Sequence, residues 1–302
     1  MMTKEEIVAR IKELKDNLKA IILAHNYQIG EVQDVADFVG DSLELSQMAA
    51  SLKEEVIVFC GVHFMAETAK MLSPEKTVLL PEINAGCPMA DMITAEELKA
   101  WKKTHPGKKV VCYINSSAEV KAESDLCCTS SNALRVVESL NDEAVLFVPD
   151  RNLANYVARQ TTKQIIPWDG YCYVHNNIRL EHVEEKRRKY PEAEIWVHPE
   201  CRPEVIDRAD RVFSTGQMVK EAGRTSAVQV IIGTEVGIIH RLQKINPGVE
   251  FIPLKETAFC SNMKKINLAS VLRALEKGRY QIEVDSSIRE KALTAIQKMI
   301  SI

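Results

Sequence analysis

The chain repeats one pattern of residues three times along its 302 positions. The segment that starts at Ala20 matches, without a gap, a segment 88 residues further on, and that segment matches a third one another 85 residues along. The shared positions carry an aspartate after a small residue, a hydroxyl group, and a polar pair after an apolar run. Internal repeats usually correspond to one structural unit each. The chain is therefore predicted to contain three similar units, bounded at 1–88, 89–173 and 174–302.

Each repeat reads as strand, helix, strand, helix, strand, and then a loop with one cysteine. Short runs rich in Val and Ile, bounded by Pro and Gly, are typical of fully buried strands. Their alternation with helices predicts parallel sheets that are covered by helices on both faces. The fold class is thus α/β, with three homologous αβα sandwich domains. The tail after the third repeat has no fourth unit to enter and is expected to pack back onto the others.

The recurring polar residues lie where parallel α/β sheets bind ligands, beyond the carboxyl ends of the strands. The first strand of each repeat ends in a polar pair: His25 and Tyr27, Tyr113 and Asn115, and His198 and Glu200. The recurring hydroxyls, Ser42, Ser130 and Thr215, stand before helices, where they either cap the helix or help to bind an anion. The recurring aspartates, Asp37, Asp125 and Asp210, predict structural salt bridges or caps. Closure of the three units about a pseudo-threefold axis would bring the strand ends into one cavity. A linear array is the alternative, but the repeated residue types favour closure.

One cysteine follows the third strand of each repeat: Cys87, Cys172 and Cys260. None of the three belongs to a CxxC pair, and structural zinc normally has four protein ligands. Three thiolates that hold a 4Fe-4S cluster leave one iron open as a Lewis acid, so the pattern favours such a cluster. Cys60 and Cys112, in apolar runs, are expected to be buried core thiols. Packing is also favoured for Cys127 and Cys128, with an approach to the site as the alternative, and Cys201, next to Glu200, could lie near the cavity rim without being a ligand. The position of His175, three residues after Cys172, is compatible with facing the cavity or with packing elsewhere.

Charge and hydropathy exclude several classes of protein. The net charge is −3, from 39 basic and 42 acidic residues, with no long run of one sign. This balance argues against a protein that binds nucleic acid or an anionic membrane. The sequence contains no apolar stretch of membrane-spanning length, and its charged N-terminus does not resemble a signal peptide. A cytoplasmic location is expected, in which cysteines stay reduced.

The sequence between residues 20 and 265 resembles the quinolinate synthase family. The resemblance is carried, in order, by ILAHNYQ, DVADFVGDSLELS, VFCGVHFMAETAK, CPMAD, YINSSAE, CTSSNA, PDRNLANYVA, HPEC, STGQM, IGTEVG and FCSNMKK. It implies three Rossmann-like domains about a pseudo-threefold axis, with one 4Fe-4S cluster on Cys87, Cys172 and Cys260. It also implies an enzyme of NAD biosynthesis, which condenses iminoaspartate with dihydroxyacetone phosphate to quinolinate and releases phosphate and two waters.

The same resemblance, together with the shared strand-end positions, suggests a role for each motif residue. Tyr27, His198 and Glu200 are the expected proton-transfer residues. The expected substrate-binding residues are His25, Ser42, Tyr113, Asn115, Ser130 and Thr215. Iminoaspartate is unstable in water, so coupling to an aspartate oxidase or dehydrogenase that produces it is also expected.

Three other functions fit the residues less well. A zinc or mononuclear-iron lyase or aldolase could use the same triplicated frame. An iron–sulfur redox sensor would need a partner surface or a DNA-binding element, and the sequence has neither a basic patch nor a helix-turn-helix signal. A sugar-phosphate-binding module with structural cysteines would not explain why the three thiols keep the phase of the repeat.

Overall fold

The computed structural model describes residues 2–302 and contains three parallel sheets with the same connectivity. The first sheet has the order β2-β1-β3-β4, with β1 (Ala20–His25), β2 (Phe38–Gly40), β3 (Val56–Cys60) and β4 (Thr77–Leu79). The second has the order β6-β5-β7-β8, with β5 (Lys109–Tyr113), β6 (Leu126–Cys128), β7 (Ala144–Val148) and β8 (Gln164–Pro167). The third has the order β10-β9-β11-β12, with β9 (Glu194–Val197), β10 (Arg211–Val212), β11 (Gln229–Gly233) and β12 (Glu250–Pro253). The predicted α/β class with three Rossmann-like units is confirmed. The prediction of three strands per unit is wrong, because each sheet has an additional short strand, β2, β6 or β10, so each cysteine follows the fourth strand of its unit.

Helices cover the sheets, and several of them begin at a side-chain cap. The first unit carries α1 (Lys4–Asn17), α2 (Gly30–Val35), α3 (Ser42–Ser51) and α4 (His63–Leu72). The second is accompanied by α5 (Ala95–Thr104), α6 (Ala118–Ala122), α7 (Ala133–Glu138) and α8 (Arg151–Ala158). The third is accompanied by α9 (Tyr173–Asn176), α10 (Leu180–Lys189), α11 (Pro203–Ile206), α12 (Thr215–Ala222) and α13 (Ile238–Ile245). The tail forms α14 (Leu268–Lys277) and α15 (Ser286–Ser301), and 3₁₀ turns occur at Ala90–Met92 and Met263–Lys265. None of the helices in residues 2–302 is long and apolar enough to cross a membrane.

The central strands are buried on both faces, as a parallel sheet between two helical layers requires. Ile22, Leu23 and Ala24 of β1 are completely inaccessible to solvent, and Trp196 of β9 is equally buried. These strands therefore read as continuous apolar runs. Because their side chains are packed from both sides, the sheet fixes where each polar strand end lies.

The three units form a closed arrangement, which contradicts the alternative prediction of a linear array. Lys121 Nζ of the second unit donates to Thr68 Oγ1 of the first at 3.1 Å. Arg159 of the second unit pairs with Asp207 of the third at 2.6 Å. His240 Nε2 of the third unit lies 2.6 Å from Asp34 Oδ1 of the first. Each unit thus contacts both of the others, as a pseudo-threefold arrangement requires.

The C-terminal tail packs onto the first two units, as predicted. Helix α14 lies against α1 and β3, and α15 lies against α6, β6 and α4. Between them, Gln281 forms an antiparallel bridge with Leu79 at the end of β4. The Asn132 side chain of the second unit donates to the Met299 carbonyl at 2.9 Å. The tail therefore ties the first and second units together.

The three recurring aspartates have a structural role, as expected. In every unit the aspartate N–H and carboxylate bind the backbone of the first strand, through Asp37 with Ile22, Asp125 with Val110 and Asp210 with Ile195. Each carboxylate also pairs with a basic side chain, from Lys15, Lys109 and Arg187 respectively. These bonds set the path of the chain as it enters the second strand of each sheet.

Replacement of Asp125 with alanine is expected to lower the free energy of unfolding by about 1–3 kcal/mol. The change leaves the Val110 N–H without its side-chain acceptor, and a buried donor without a partner costs about that much. The ion pair with Lys109 is partly exposed and adds little. Urea titration at equilibrium measures the effect. Glu143→Ala, at an exposed position of the same unit, is the control and should change stability by less than about 0.5 kcal/mol.

Candidate active site

One cavity at the meeting point of the three units contains every predicted site residue. Its volume is about 70 Å³. The predicted residues that line it are His25, Tyr27, Ser42, Cys87, Tyr113, Asn115, Ser130, Cys172, His198, Glu200, Thr215 and Cys260. They come from equivalent strand ends and loops of the three units, because parallel strands direct their carboxyl ends to one side of each sheet.

Hydroxyl groups and helix N-termini form one part of the cavity wall. The helix caps are the residues just before the predicted hydroxyls: Asp41 caps α3 and Ser214 caps α12. Ser42 and Thr215 are therefore the first helical residues, and the expectation that they might themselves be caps is wrong. The neighbouring Ser131 hydroxyl lies 2.7 Å from Asp41 Oδ2 and 2.9 Å from Ser214 Oγ, which links the three units.

Glu200 is the centre of a buried polar network. The Tyr113 hydroxyl donates to Glu200 Oε1. His175 Nδ1 lies 2.7 Å from Glu200 Oε2, although its N–H direction is not aligned for a hydrogen bond. Burial opposes the charge of this carboxylate, but the neighbouring His175 and the hydrogen bond from Tyr113 outweigh it and hold the pKa of Glu200 below its ordinary value. Glu200 is thus ionised near neutral pH.

Tyr27 and the histidines form the adjoining wall. The Tyr27 hydroxyl lies 2.6 Å from Thr234 Oγ1 and 3.4 Å from His175 Nε2. His175 stacks on His198, with ring centroids 4.6 Å apart. Burial lowers the pKa of His25 and of His198 to about 3 and raises that of Tyr27 well above its ordinary value. Near neutral pH, His25, His198 and Tyr27 are therefore uncharged hydrogen-bonding groups.

The three predicted cysteines line the cavity as half-buried free thiols. The other five are fully buried, and none of them lines this cavity within the described part of the chain. Burial raises the pKa of Cys87 to about 12 and that of Cys172 well above its ordinary value. Without a cation these two are neutral thiols, and a metal that binds them must displace their protons.

The spacing of the thiols distinguishes two kinds of metal centre. A single tetrahedral ion holds thiolates at about 2.3 Å, which brings the sulfurs within about 4 Å of one another. In residues 2–302 the sulfurs of Cys87, Cys172 and Cys260 do not all lie within 4.8 Å of one another. The group that does meet this limit is Cys172, His175 and Glu200. The three cysteines therefore do not form a single-ion site as a set, while their free thiols in one cavity fit a metal cofactor.

Several residues that the sequence analysis did not select also belong to the site. His175, whose direction the sequence left open, faces the cavity, and Asp41 and Glu235 line it as well. Thr234 binds both Tyr27 and His175. Thr234 and Glu235 directly follow β11. The equivalent strand ends carry different residues in the three units, so the repeat pattern gives no signal for them.

Within the described residues, the lining of the cavity offers no basic side chain that could bind a negatively charged ligand. No Lys or Arg is among the lining residues of the described chain. The ammonium group of Lys264 contacts the wall from behind, where it binds Glu235 and the Tyr27 carbonyl. A bound anion must therefore be held by hydroxyls, backbone N–H groups and neutral imidazoles.

The fold and the cavity define a class of enzyme in which three α/β units share one reaction centre. A family model described as "Quinolinate synthetase A protein" matches residues 9–301. The chain is 56% identical to the quinolinate synthase of Dehalococcoides mccartyi strain CBDB1 over 301 residues, with 100% of both chains covered. It is 51% identical to quinolinate synthase 2 of Methanosarcina acetivorans, covering 100% of this chain and 97% of that one. It is 50% identical to the quinolinate synthase of Alkaliphilus metalliredigens, with both chains fully covered. The chain belongs to the quinolinate synthase family.

Proposed function

We propose that this chain condenses iminoaspartate with dihydroxyacetone phosphate to form quinolinate for NAD biosynthesis. The products balance as one quinolinate, one phosphate and two waters. The observation that carries the proposal is that twelve residues from three repeats, selected from the sequence, line a single cavity. The membership of the family and the similarity to three quinolinate synthases support it.

Cys87, Cys172 and Cys260 would hold a 4Fe-4S cluster. Their sulfurs are too far apart as a set for one ion, and they share a cavity wall with Val62, Met65 and Met89, which exclude water. Three thiolates would leave one iron of the cluster without a protein ligand, and that iron would supply Lewis-acid chemistry. Every other contribution in this proposal belongs to the chain's own residues.

The hydroxyl wall would hold the anionic groups of the substrates. Ser42 and Thr215 are the first residues of α3 and α12, whose N-terminal N–H groups and dipoles favour negative charge. Ser130 adds a third hydroxyl and lies 3.2 Å from His198 Nε2. His25 adds a neutral imidazole on the wall of the first unit. Because the lining formed by residues 2–302 contains no Lys or Arg, this wall is the part of the cavity best suited to phosphate and carboxylate groups.

Tyr27, His198 and Glu200 would move protons during enolisation, imine formation and loss of water. Glu200 is charged and able to accept a proton, whereas the Tyr27 hydroxyl is neutral and able to donate one. The neutral His198 accepts or donates through the nitrogen that faces Ser130. Tyr113 holds Glu200 and would orient the reacting carbons together with Asn115. Within residues 2–302, Asn115 Oδ1 has no hydrogen-bond partner, so it is free to accept from the substrate nitrogen.

Tyr27→Phe is expected to lower turnover by a factor of about 10² to 10⁴, the usual contribution of a positioned acid or base. The ring and its edge contact with His25 remain, while the hydroxyl that faces Thr234 and His175 is lost. Steady-state kinetics measures kcat, and iron analysis shows whether the cluster is intact. Tyr156→Phe, on α8 outside the cavity lining, is the matched control. Wild-type turnover in Tyr27→Phe would remove this hydroxyl from the mechanism.

A mononuclear metal centre is the second candidate, because Cys172, His175 and Glu200 offer one ligand atom each within 4.8 Å. An ion there would replace the close contact between His175 and Glu200, and the enzyme would be a lyase or aldolase. Metal and sulfide analysis after anaerobic purification separates the two. About four iron and four sulfide per chain fit the cluster, whereas one metal and no sulfide fit the mononuclear centre.

The decisive assay follows quinolinate under anaerobic conditions. Dihydroxyacetone phosphate is supplied directly, and an aspartate oxidase generates iminoaspartate in the same vessel, because it decays in water. Quinolinate and one equivalent of phosphate should appear together, and omission of either substrate should abolish both. A cluster-loaded protein that yields no quinolinate under these conditions would contradict the proposal.

A further inference from the structure

The three cysteine loops are tied to the sheets by one repeated backbone bond. In each unit, the backbone N–H of the residue three positions after the end of β3, β7 or β11 donates to the carbonyl of the residue two positions before the cysteine. The pairs are His63 to Ala85 at 2.8 Å, Arg151 to Gly170 at 2.8 Å and Val236 to Ala258 at 2.9 Å. The close approach needs a glycine in the second unit, since a Cβ on Gly170 would lie 2.5 Å from the Pro149 carbonyl oxygen.

Two of the three loops have an additional tie from a carboxylate. Asp150 Oδ2 accepts from the N–H of Cys172 at 3.1 Å, and Glu235 Oε1 accepts from the N–H of Cys260 at 2.9 Å. Asp150 and Glu235 occupy the same place in the repeat, 85 residues apart, and both residues are completely buried. The equivalent position of the first unit is Val62, whose side chain has no hydrogen-bond acceptor. Among residues 2–302, no side chain accepts from the Cys87 N–H.

Each carboxylate uses its remaining bonds to fix the neighbouring chain. Asp150 Oδ1 accepts from the Leu153 N–H at 2.8 Å and so caps α8. Glu235 Oε2 accepts from the Gly237 N–H at 2.7 Å, and Lys264 Nζ lies 2.8 Å from Glu235 Oε1. Lys264 also donates to the Tyr27 carbonyl, which connects this anchor to a proposed proton-transfer residue. Each carboxylate thus joins a strand end, a helix start and a cysteine.

We propose that Asp150 and Glu235 are positioning residues, which hold Cys172 and Cys260 in register for the metal centre while Cys87 depends on its backbone tie alone. The proposal rests on the proposed function, because it takes these thiols as ligands. Partners that fix a metal ligand from behind usually contribute a factor of about 10 to 100 in metal retention. Their repetition in two units, and their absence from the first, indicates a role specific to the cysteine loops.

The test is the reactivity of individual thiols in the apo-protein. Asp150→Ser keeps an oxygen for the α8 cap but is too short to reach the Cys172 N–H. It should raise the alkylation rate of Cys172, measured by mass spectrometry of the labelled peptides, several-fold over that of Cys87. Glu235→Ala should do the same at Cys260 only. Ser117→Ala, which removes the side-chain cap of α6 outside the cavity lining, is the control and should alter none of the three.

A second measurement uses the loaded protein. Release of iron to a chelator should be about 10-fold faster in Asp150→Ser and Glu235→Ala than in the wild type or in Ser117→Ala. If either variant fails to fold by circular dichroism, Asp150→Asn and Glu235→Gln keep the side-chain volume and replace one acceptor with a donor, so the same selective labelling applies. Uniform labelling of all three cysteines, or wild-type labelling and iron release, would overturn the inference. A wild-type protein that takes up no iron and sulfide would instead overturn the proposed cluster, while the apo-protein labelling still tests the anchors.

Discussion

Replacement of any one of Cys87, Cys172 and Cys260 with alanine is expected to abolish the visible absorption of the cluster and all turnover. The three units supply one thiol each to the cavity, so a variant retains two protein ligands. The remaining cysteines are fully buried and lie outside the cavity lining in residues 2–302, so they offer no substitute. Iron and sulfide should fall from about four of each per chain to a small fraction of that.

Cys201→Ala is the matched control for these variants. Cys201 directly follows Glu200 and is fully buried, with its thiol 3.4 Å from the Gly233 carbonyl oxygen. Its loss should reduce stability slightly and leave the iron content unchanged. A full complement of iron and sulfide in all three single variants would contradict the ligand assignment. A loss in Cys201→Ala as large as in Cys172→Ala would show that iron uptake depends on general folding instead.

The sequence could predict those features in which the three repeats agree. A strand end, a hydroxyl before a helix and a cysteine after the last strand recur in phase, and equivalent positions of closed repeats meet near a common axis. This is why Tyr27 and Cys260, far apart in sequence, could be expected to lie in the same cavity, as the structure shows. Closure itself became clear only from contacts such as that between His240 and Asp34.

Features in which the repeats differ could not be found by the same comparison. The residues directly after β3, β7 and β11 are, respectively, Gly61 and Val62, Pro149 and Asp150, and Thr234 and Glu235. Comparison of the three sets finds nothing shared, although two of them carry the carboxylates that bind the cysteine loops. The direction of His175 was undecided for another reason, because α9 has only four residues and too few positions to define a buried face.

The neutral histidines explain how a cavity without basic residues can accommodate its own carboxylate. Burial keeps His25 and His198 uncharged near pH 7, so they add hydrogen bonds without adding a fixed positive charge. Glu200 is stabilised by Tyr113 and by its contact with His175. A substrate that carries several negative charges therefore meets the Glu200 carboxylate among polar groups that can orient to it. Glu200 therefore combines a negative charge with a position that is fixed by its contacts.

Glu200→Gln is expected to lower kcat by a factor of about 10² to 10⁴ while the iron content stays at the wild-type level. The amide keeps the shape of the side chain and an oxygen for the Tyr113 hydroxyl, but it cannot accept a proton from the substrate. Because the pKa of Glu200 lies below its ordinary value, the wild-type carboxylate is charged throughout the range from about pH 5 to 9. The loss of rate should therefore be similar at every pH in that range, without a displaced optimum.

The control is Glu204→Gln, which changes a carboxylate that pairs with Arg202 outside the cavity lining and should retain wild-type kcat. Wild-type turnover in Glu200→Gln, with a full cluster, would show that the proton is accepted by another group in the cavity.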